Sequence, residues 1–349
     1  MTREGPPPVL GWDIGGVNTK AASVLLSRGG APSVRSASAP LELERDTGGL
    51  VATLRSLAAR VGPVPGGPHA VTMTAELSQA FRTKREGVGF VLDALAAAFP
   101  GEPVHVFTVA GRFVEPAEAR ARPLDAGASN WMATAILAAR FVPDGILIDI
   151  GTTSTDIIPL AGGRVVAAGR TDPERLVSGE LVYAGAVRTP AEALVREVPL
   201  GGQCAAVSAE GFATIGDAHL WLGRLDAADY TASTADGRPA TRIFAGERLA
   251  RVVCGDREML DDPAIDAIAR ALVEAQLERV TEGVRRVCDR WPDARTAVVA
   301  GLGEFIAAEA ARRVGLEVTA LADRFGPSAR TAPAAAAGWL LAERLGPGG

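Results

Sequence analysis

Apolar runs alternate with polar, glycine-rich breaks along the whole chain, and the runs come in two lengths. Short ones at 9–14, 20–26 (KAASVLL), 32–37, 69–72 and 104–109 predict strands, the second closed by a turn at 28–30. Longer stretches carry the helical spacing. Residues 46–60 predict a helix with Asp46 or Thr47 as N-cap and Gly62-Pro63 as the stop, residues 76–98 contain one in GVGFVLDALAAAF, and residues 129–139 form another. After Pro143-Asp144-Gly145 the pattern restarts with predicted strands at 146–150, 156–160 and 165–168, around a turn at Gly162-Gly163. Residues 178–260 read as irregular and turn-rich. A long helix over about 263–290 follows, then a strand at 296–299, a helix at 304–313, a strand at 317–320 and an alanine-rich helix from Ala332. Each half opens with strand–turn–strand and continues into alternating helices and strands. This is an α/β chain with a duplicated layout, expected to form an N-terminal lobe over 1–144 and a C-terminal lobe over 145–349, the latter with an insertion at about 178–260.

The two opening turns repeat each other in detail: GWDIGGVNTK at 11–20 and LIDIGTTSTDIIPL at 147–160. In a dinucleotide-binding fold the glycine turn feeds a helix directly. The second copy instead runs through threonines and isoleucines into Pro159, which inside a helix costs about 3 kcal/mol. The first reaches another Gly-Gly break within ten residues, too soon for a comfortable helix. Both are therefore predicted β-hairpins, and neither has the spacing of a P-loop. Gly15, Gly16 and Gly151 let the backbone approach a ligand, and successive N–H groups there can form an anion-binding nest. Asn18, Thr19, Thr152, Thr153 and Ser154 add short donors, and Lys20 adds a cation. Asp13 and Asp149 would repel a bare phosphate, so the pair points to a divalent cation, Mg2+ (or Mn2+), between carboxylates and phosphate oxygens. Asp156 is placed to hold a metal-bound water or to orient a hydroxyl. The expectation is that the two turns face each other across a cleft and grip one polyphosphate.

Composition sharpens this picture. The formal net charge of −5 argues against nucleic acid as a partner. Of 36 basic residues only Lys20 and Lys84 are lysine, and Asn18 and Asn130 are the only asparagines, so these four mark places where an ammonium or a carboxamide is chemically needed. Cys204, Cys254 and Cys288 form no CxxC pair, and His69, His105 and His219 are isolated, which leaves no metal framework beyond the aspartates. The opening MTREGPPPVL lacks the apolar core of a signal peptide, and no apolar run approaches the ~18 residues of a membrane span, so a cytoplasmic location without membrane contact is expected. Homo-oligomerisation is left open.

Other constellations are more modest. FRTKREG sets Arg82, Lys84, Arg85 and Glu86 together, either as a site for phosphate or glutamyl carboxylates or as a solvated helix start with an Arg82–Glu86 pair. Asn130 offers a substrate contact, whereas Trp131 reads as core. Asp236-Gly237 signals a turn, with Arg238 and Arg242 nearby, either a surface hairpin or a substrate-capping loop. Gly301 and Gly303 precede a helix start and either approach a nucleotide-like ligand or turn the chain.

DIGGVNTK and DIGTTSTDI resemble the paired phosphate motifs of the actin, sugar kinase and Hsp70 ATPase superfamily, and VVAGLGEF (298–305) resembles its third, nucleotide-side motif. Together with MTAELSQAFRTKREGV (73–88), ASNWMATA (128–135), ELVYAGAVRTP (180–190) and YTASTADGRPATR (230–242), they make the chain similar to the hydantoinase/oxoprolinase-like proteins of tetrahydromethanopterin-linked one-carbon transfer, the methanofuran/methylofuran aryl-ether synthase family. The resemblance covers residues from about 9 to 340. Val17 and the Thr/Ser order at 152–154 depart from the pattern without removing a donor or a carboxylate. It implies a two-lobed, actin-like (ribonuclease H-like) fold with a central cleft. It also implies a transferase that joins a furanylmethyl diphosphate to the phenol of a γ-glutamyltyramine acceptor and releases pyrophosphate. Asp156, Glu76 and Glu180 are equal candidates for the base that takes the phenolic proton. An ATP-dependent small-molecule kinase, an ATPase of the hydantoinase/oxoprolinase type, or a nucleotide-sensing scaffold are the alternatives on the same fold.

Overall fold

The computed structural model describes residues 8–26, 32–62 and 66–346. The opening residues, the turn at 28–30 and Pro63 lie outside them. The chain forms two compact units, the first comprising Met1–Leu147, Ile158–Arg175 and Thr319–Gly349, the second Ile148–Ile157 and Leu176–Val318.

In the first unit, β1 (Val9–Ile14) is buried along its whole length and pairs antiparallel with β2 (Asn18–Leu25), which pairs antiparallel with β3 (Ser33–Pro40). Helix α1 (Leu50–Val61) follows, with the Asp46 carboxylate accepting from the N–H of Gly49 at its start. On its other side β1 runs parallel to β4 (His69–Met73), which is followed by α2 (Lys84–Ala98). The sheet ends with β5 (Val104–Phe107), parallel to β4, and β6 (Phe113–Val114). Short helices α3 (Pro116–Ala121) and α4 (Pro123–Ala126) lead to α5 (Asn130–Ala139). The strand period of two sorts β1 between two cores. Leu10, Trp12 and Ile14 pack with Leu54, Leu57, Val88 and Leu95 of α1 and α2, while Val9 packs with Ala133 and Leu137 of α5. His69 is a satisfied core histidine: it accepts from Trp12 Nε1 at 2.9 Å and meets Glu102 at 2.7 Å, and burial holds its pKa below the usual value.

The second sheet uses β7 (Gly145–Ile150), β8 (Thr155–Ala161) and, beside β8, β9 (Arg164–Val165) and β10 (Leu181–Val182), with α6 (Asp172–Ser178) between the last two. Next come α7 (Ala191–Leu194), the ribbon of β11 (Glu197–Leu200) and β12 (Gln203–Ala206), then α8 (Ile215–Trp221), α9 (Arg242–Arg251) and α10 (Asp262–Arg290). The chain continues through β13 (Thr296–Gly301), α11 (Glu304–Arg313), β14 (Glu317–Ala320), α12 (Ala322–Phe325) and α13 (Ala332–Leu345). The strand orders β3-β2-β1-β4-β5 and β10-β8-β7-β13-β14 match position by position, which is the duplication expressed in topology.

Three expectations need correction. The division is not a single cut near residue 145, because residues 158–175 and the segment from Thr319 onward belong with the first unit. Its physical basis is α13, whose small residues Ala336 and Ala337 pack with Val9 and Ala70, and whose Ala334 and Ala335 pack with Ala22 and Val24. Residues 178–260 are not irregular throughout: α8 and α9 pack with α10 around Trp221, Leu249, Ile268 and Leu272. The strand expected over 165–168 is only the two residues of β9.

Candidate active site

The β1–β2 hairpin sets Asp13 directly opposite Lys20, and the ammonium meets Asp13 Oδ2 at 3.0 Å. The turn between them is closed by the Gly15 N–H donating to Asn18 O at 3.0 Å, and Gly16 O accepts from Leu43 N. Asp13 is 4% exposed, and its second oxygen, Oδ1, is buried with no hydrogen-bond partner among the described residues, as is the hydroxyl of Thr19. A buried acceptor without a donor costs about 1–3 kcal/mol, so this turn holds oxygens that a cation or donor would stabilise. Lys20, expected to serve phosphate, is in the first place the counter-ion of Asp13, a cross-strand pair of the kind that stabilises hairpins.

The β7–β8 turn reproduces this closure. Gly151 N–H donates to Ser154 O at 3.0 Å, two residues beyond the buried Asp149, as Gly15 lies two residues beyond Asp13. Thr152, Thr153 and Ser154 are half-buried. Residues 184–189 brace the turn from behind. Ala186 N–H donates to Gly151 O, those of Val187 and Arg188 to Thr152 O, and Thr155 Oγ1 to Ala184 O at 2.6 Å. Gly185 has to be glycine here, since a Cβ would lie 2.4 Å from the backbone of Thr153. Its carbonyl accepts from Gln276 Nε2 at 2.7 Å, which leaves Gln276 Oε1 to accept from His219 Nε2 at 2.8 Å and fixes that tautomer. Burial drops His219 to about 4, so it is a neutral strut.

The end of β13 closes on the same turn. At Gly301, with φ +88°, a Cβ would stand 2.3 Å from Asp149 Oδ1, and Gly303 N–H donates to Ile150 O at 2.9 Å. Asp149, Gly151, Gly301 and Gly303 are thus one local group. Asp156 is half-buried on β8 opposite Leu181. Among the described residues no three His, Cys, Asp or Glu side chains gather as a metal site, so a cation here would take single carboxylates and complete its shell with phosphate or water.

A second cluster lies in the first unit, beside its glycine turn. The turn of 3-10 helix at Ala75–Leu77 carries Glu76, flanked by Thr74, whose N–H donates to Ile14 O, and by Ser78, against Gly16. The Glu76 side chain is fully buried, with Lys84 Nζ 3.5 Å from Oε1 and, among the described residues, no hydrogen-bond partner on either oxygen. Lys84 also meets Asp172 Oδ2 at 3.0 Å, and Asp172 lies 3.7 Å from Arg175. Arg175 is itself buried and stacks 4.3 Å from the centroid of Trp131, which is core as expected. Burial raises Glu76 to about 7, against the pull of Lys84. Burial also opposes the charge on Lys84, but the Glu76 and Asp172 carboxylates outweigh it and hold the ammonium above its ordinary value. Glu180, the third candidate base, is buried against Arg290 at 3.2 Å.

The remaining sequence candidates make other contacts. Arg82 is exposed, and the expected Arg82–Glu86 side-chain pair is instead a helix cap. Glu86 accepts from the Arg82 backbone N–H, while Thr83 accepts from Glu86 N. Arg238 sits on a surface turn, paired with Glu247 and near Phe244 of α9. Asn130 is half-buried at the first turn of α5, its carbonyl accepting from Thr134. Sequence reasoning missed Asp172, Arg175, Gly185 and Gln276. Only the ELVYAGAVRTP stretch, already quoted for resemblance, carried a signal for one of them.

The chain matches the hydantoinase/oxoprolinase family over residues 68–344. It is 37% identical over 303 residues to the (4-{4-[2-(gamma-L-glutamylamino)ethyl]phenoxymethyl}furan-2-yl)methanamine synthase of Methanocaldococcus jannaschii, covering 86% of this chain and 88% of that one. With the protein of the same name from Methanococcus vannielii it shares 34% identity over 165 residues, 47% of this chain and 73% of the other. In structure it is similar to nucleotide-free acetone carboxylase, with a TM-score of 0.59 at 13% identity over 95% of this chain and 70% of that one, a likeness of fold alone. The fold is the actin-like α/β type with a duplicated core. The chain belongs to the hydantoinase/oxoprolinase family and to that of the (4-{4-[2-(gamma-L-glutamylamino)ethyl]phenoxymethyl}furan-2-yl)methanamine synthases.

Proposed function

We propose that this protein makes the aryl ether of a methanofuran-type cofactor by joining a furanylmethyl diphosphate to the phenol of γ-glutamyltyramine. The observation that carries this reading is the 37% identity over nearly the whole of a synthase whose named product is a phenoxymethyl-furan. Such a product divides naturally at the ether: the oxygen comes from a tyramine-type phenol and the methylene from a furan. The phenol oxygen bonds to the methylene carbon while the carbon–oxygen bond to the diphosphate breaks, its electron pair going to the departing pyrophosphate. The electron-rich furan helps the carbon carry positive charge.

The twin turns suit that leaving group. Their glycines admit phosphate oxygens close to the backbone, and their hydroxyls and N–H groups are preorganised donors where negative charge grows. Bound Mg2+ or Mn2+ would neutralise the pyrophosphate charge, and the unpartnered, buried Oδ1 of Asp13 has the character of a ligand for it. Asp149 is the matching carboxylate. Lys20 holds the Asp13 carboxylate in place through the 3.0 Å contact. Both substrates are small molecules, and no helix among the described residues is long and apolar enough to cross a membrane.

The test is direct. Purified protein with Mg2+, the furanylmethyl diphosphate and γ-glutamyltyramine should release pyrophosphate and form ether only when both organic substrates are present, without ATP. ADP as the sole product of turnover would instead support a kinase or ATPase.

A further inference from the structure

We propose that Glu76, Lys84 and Asp172 are the acid–base device for the acceptor: Lys84 meets the phenol, and Glu76 behind it takes up the proton the phenol loses. This deepens the synthase reading and rests on it.

The geometry has three parts. First, Glu76 is a carboxyl sealed from water. Its side chain is 0% exposed and neither oxygen has a hydrogen-bond partner among the described residues. Gly127 and Gly87 close over it, since a Cβ on Gly127 would stand 2.9 Å from Oε1 and one on Gly87 2.5 Å from the Glu76 Cα. Next to Gly127, Ala128 holds φ +50°, a conformation that non-glycine residues adopt at a cost. A buried carboxylate whose facing ammonium stands 3.5 Å away, beyond good hydrogen-bond length, is expensive, and an apolar or amide side chain would fill the space at less cost. What this environment suits is a group that changes charge.

Second, the cluster opens outward through Lys84 and Asp172, whose side chains are 25% and 18% exposed. Asp172 anchors Lys84 Nζ at 3.0 Å, with Arg175 of α6 behind it, so the ammonium stands between a fixed carboxylate and a proton acceptor. The charged groups that face Glu76 are Lys84 from α2 and Asp172 from α6. From the 123–127 segment, Gly127 packs on the carboxyl. Third, Thr74 and Ser78 on either side of Glu76 pack on the Ile14–Gly16 turn, so the acid–base cluster adjoins the turn assigned to the diphosphate.

The proton accounting closes. As the phenol oxygen bonds to the methylene carbon, Lys84 Nζ gives one of its protons to Glu76 Oε1, and the lone pair this frees on the nitrogen takes up the phenol's proton. The diphosphate leaves with the electron pair of the broken bond. Lys84 remains an ammonium and Glu76 becomes neutral, then returns its proton to water along the same route. A carboxyl held near 7 by burial is matched to general-base work at neutral pH. Glu76 is a positioning and proton-holding residue in this scheme, while Lys84 touches the substrate.

The test is the pH profile of kcat/KM for ether formation. Wild type should show an acid limb near pH 7. Glu76→Gln should abolish that limb and lower kcat about a hundredfold or more, with KM for the diphosphate unchanged. A fluorinated tyramine acceptor, whose phenol ionises more readily, should restore more rate to Glu76→Gln than to wild type. Lys84→Met, on the open side of the cluster, should lose the same limb. Infrared difference titration supplies a readout independent of turnover: a carboxylic acid band with a midpoint near 7 that vanishes in Glu76→Gln. An active wild type whose acid limb survives in either variant overturns the relay and leaves the synthase reading intact. No ether from wild type at any pH overturns the synthase reading, and the relay with it.

Discussion

Replacing Gly301 by alanine should uncouple the second glycine turn from its support, and the structure lets the cost be divided. At φ +88° an L-residue is strained, by about 1–2 kcal/mol. The new Cβ would also stand 2.3 Å from Asp149 Oδ1 and 2.4 Å from Ile150 O. The second neighbour is strand backbone, which cannot swing away, so overpacking adds about 1–3 kcal/mol. Gly301→Ala is therefore expected to lose about 2–5 kcal/mol in all. Two companion variants isolate the parts. Gly202→Ala has φ +78° with nothing within 4 Å of its Cβ, so it reports strain alone. Gly303→Ala meets Ile150 Cγ2 at 2.4 Å, and its φ of −93° reports crowding alone. Urea unfolding of the three, with Mg2+-dependent pyrophosphate release measured beside it, should rank Gly301→Ala as the least stable. Activity should fall in Gly301→Ala and Gly303→Ala and persist in Gly202→Ala. If Gly301→Ala is no less stable than Gly202→Ala and keeps full activity, Asp149 is not held by this contact and the reasoning fails.

Further expectations follow from the charged groups. Asp13→Asn and Asp149→Asn should each lower kcat by about tenfold or more and weaken the dependence on Mg2+, since a single preorganised electrostatic contact is worth that much or more. Non-additive losses in the double variant would report that both serve the same leaving group, and near-normal kinetics in both single variants would remove the metal assignment. Lys20→Arg should lower activity because the larger guanidinium cannot reproduce the 3.0 Å contact with Asp13, and unchanged kinetics would show that the scarcity of lysine carries no meaning. Arg248→Met should destabilise the second unit by about 3–5 kcal/mol, because it strands the buried carboxylate of Asp217, and adding Asp217→Asn should recover part of the loss in denaturant melts. Two buried groups give opposite pH slopes. Glu76 titrates higher folded than unfolded, so its contribution is complete below about 4.5 and is lost as pH rises to about 7, and Glu76→Gln should be the more stable protein at pH 8, by up to ~3 kcal/mol. His219 titrates lower folded, so its contribution is complete above about 6.5 and is lost as pH falls towards 4, and His219→Gln should flatten that acid limb in melts.

The strands and the twin hairpins were legible in the sequence because their signals are local: Gly-rich turns, β-branched runs, and Pro159 forbidding a helix. The helix at Glu304–Arg313 and the strand at Glu317–Ala320 fall where the pattern set them. Helix α8 escaped because every residue from Ile215 to Trp221 is buried, which leaves no polar face to mark the period. The return of α13 to the first unit was hidden as well, since an alanine-rich face says that something packs closely but not against what. In the site, the scarcity of lysine pointed to Lys84, and Glu76 lay eight residues before it. Asp172 and Arg175 carried no such mark, for DPERLVS reads as an ordinary capped helix. Gln276 is a polar residue within a 29-residue helix, and only its burial against Gly185 and His219 distinguishes it.

The packing of α13 on the first sheet sets an order of events during synthesis. A ribosome delivers β1, β2 and β4 early, then the whole of the second unit, and only afterwards the helix that covers Val9, Ala22, Val24 and Ala70. Until then that face has no lid, and a nascent or truncated chain offers it to chaperones or to other nascent chains. The half made first is thus expected to be the half that matures last.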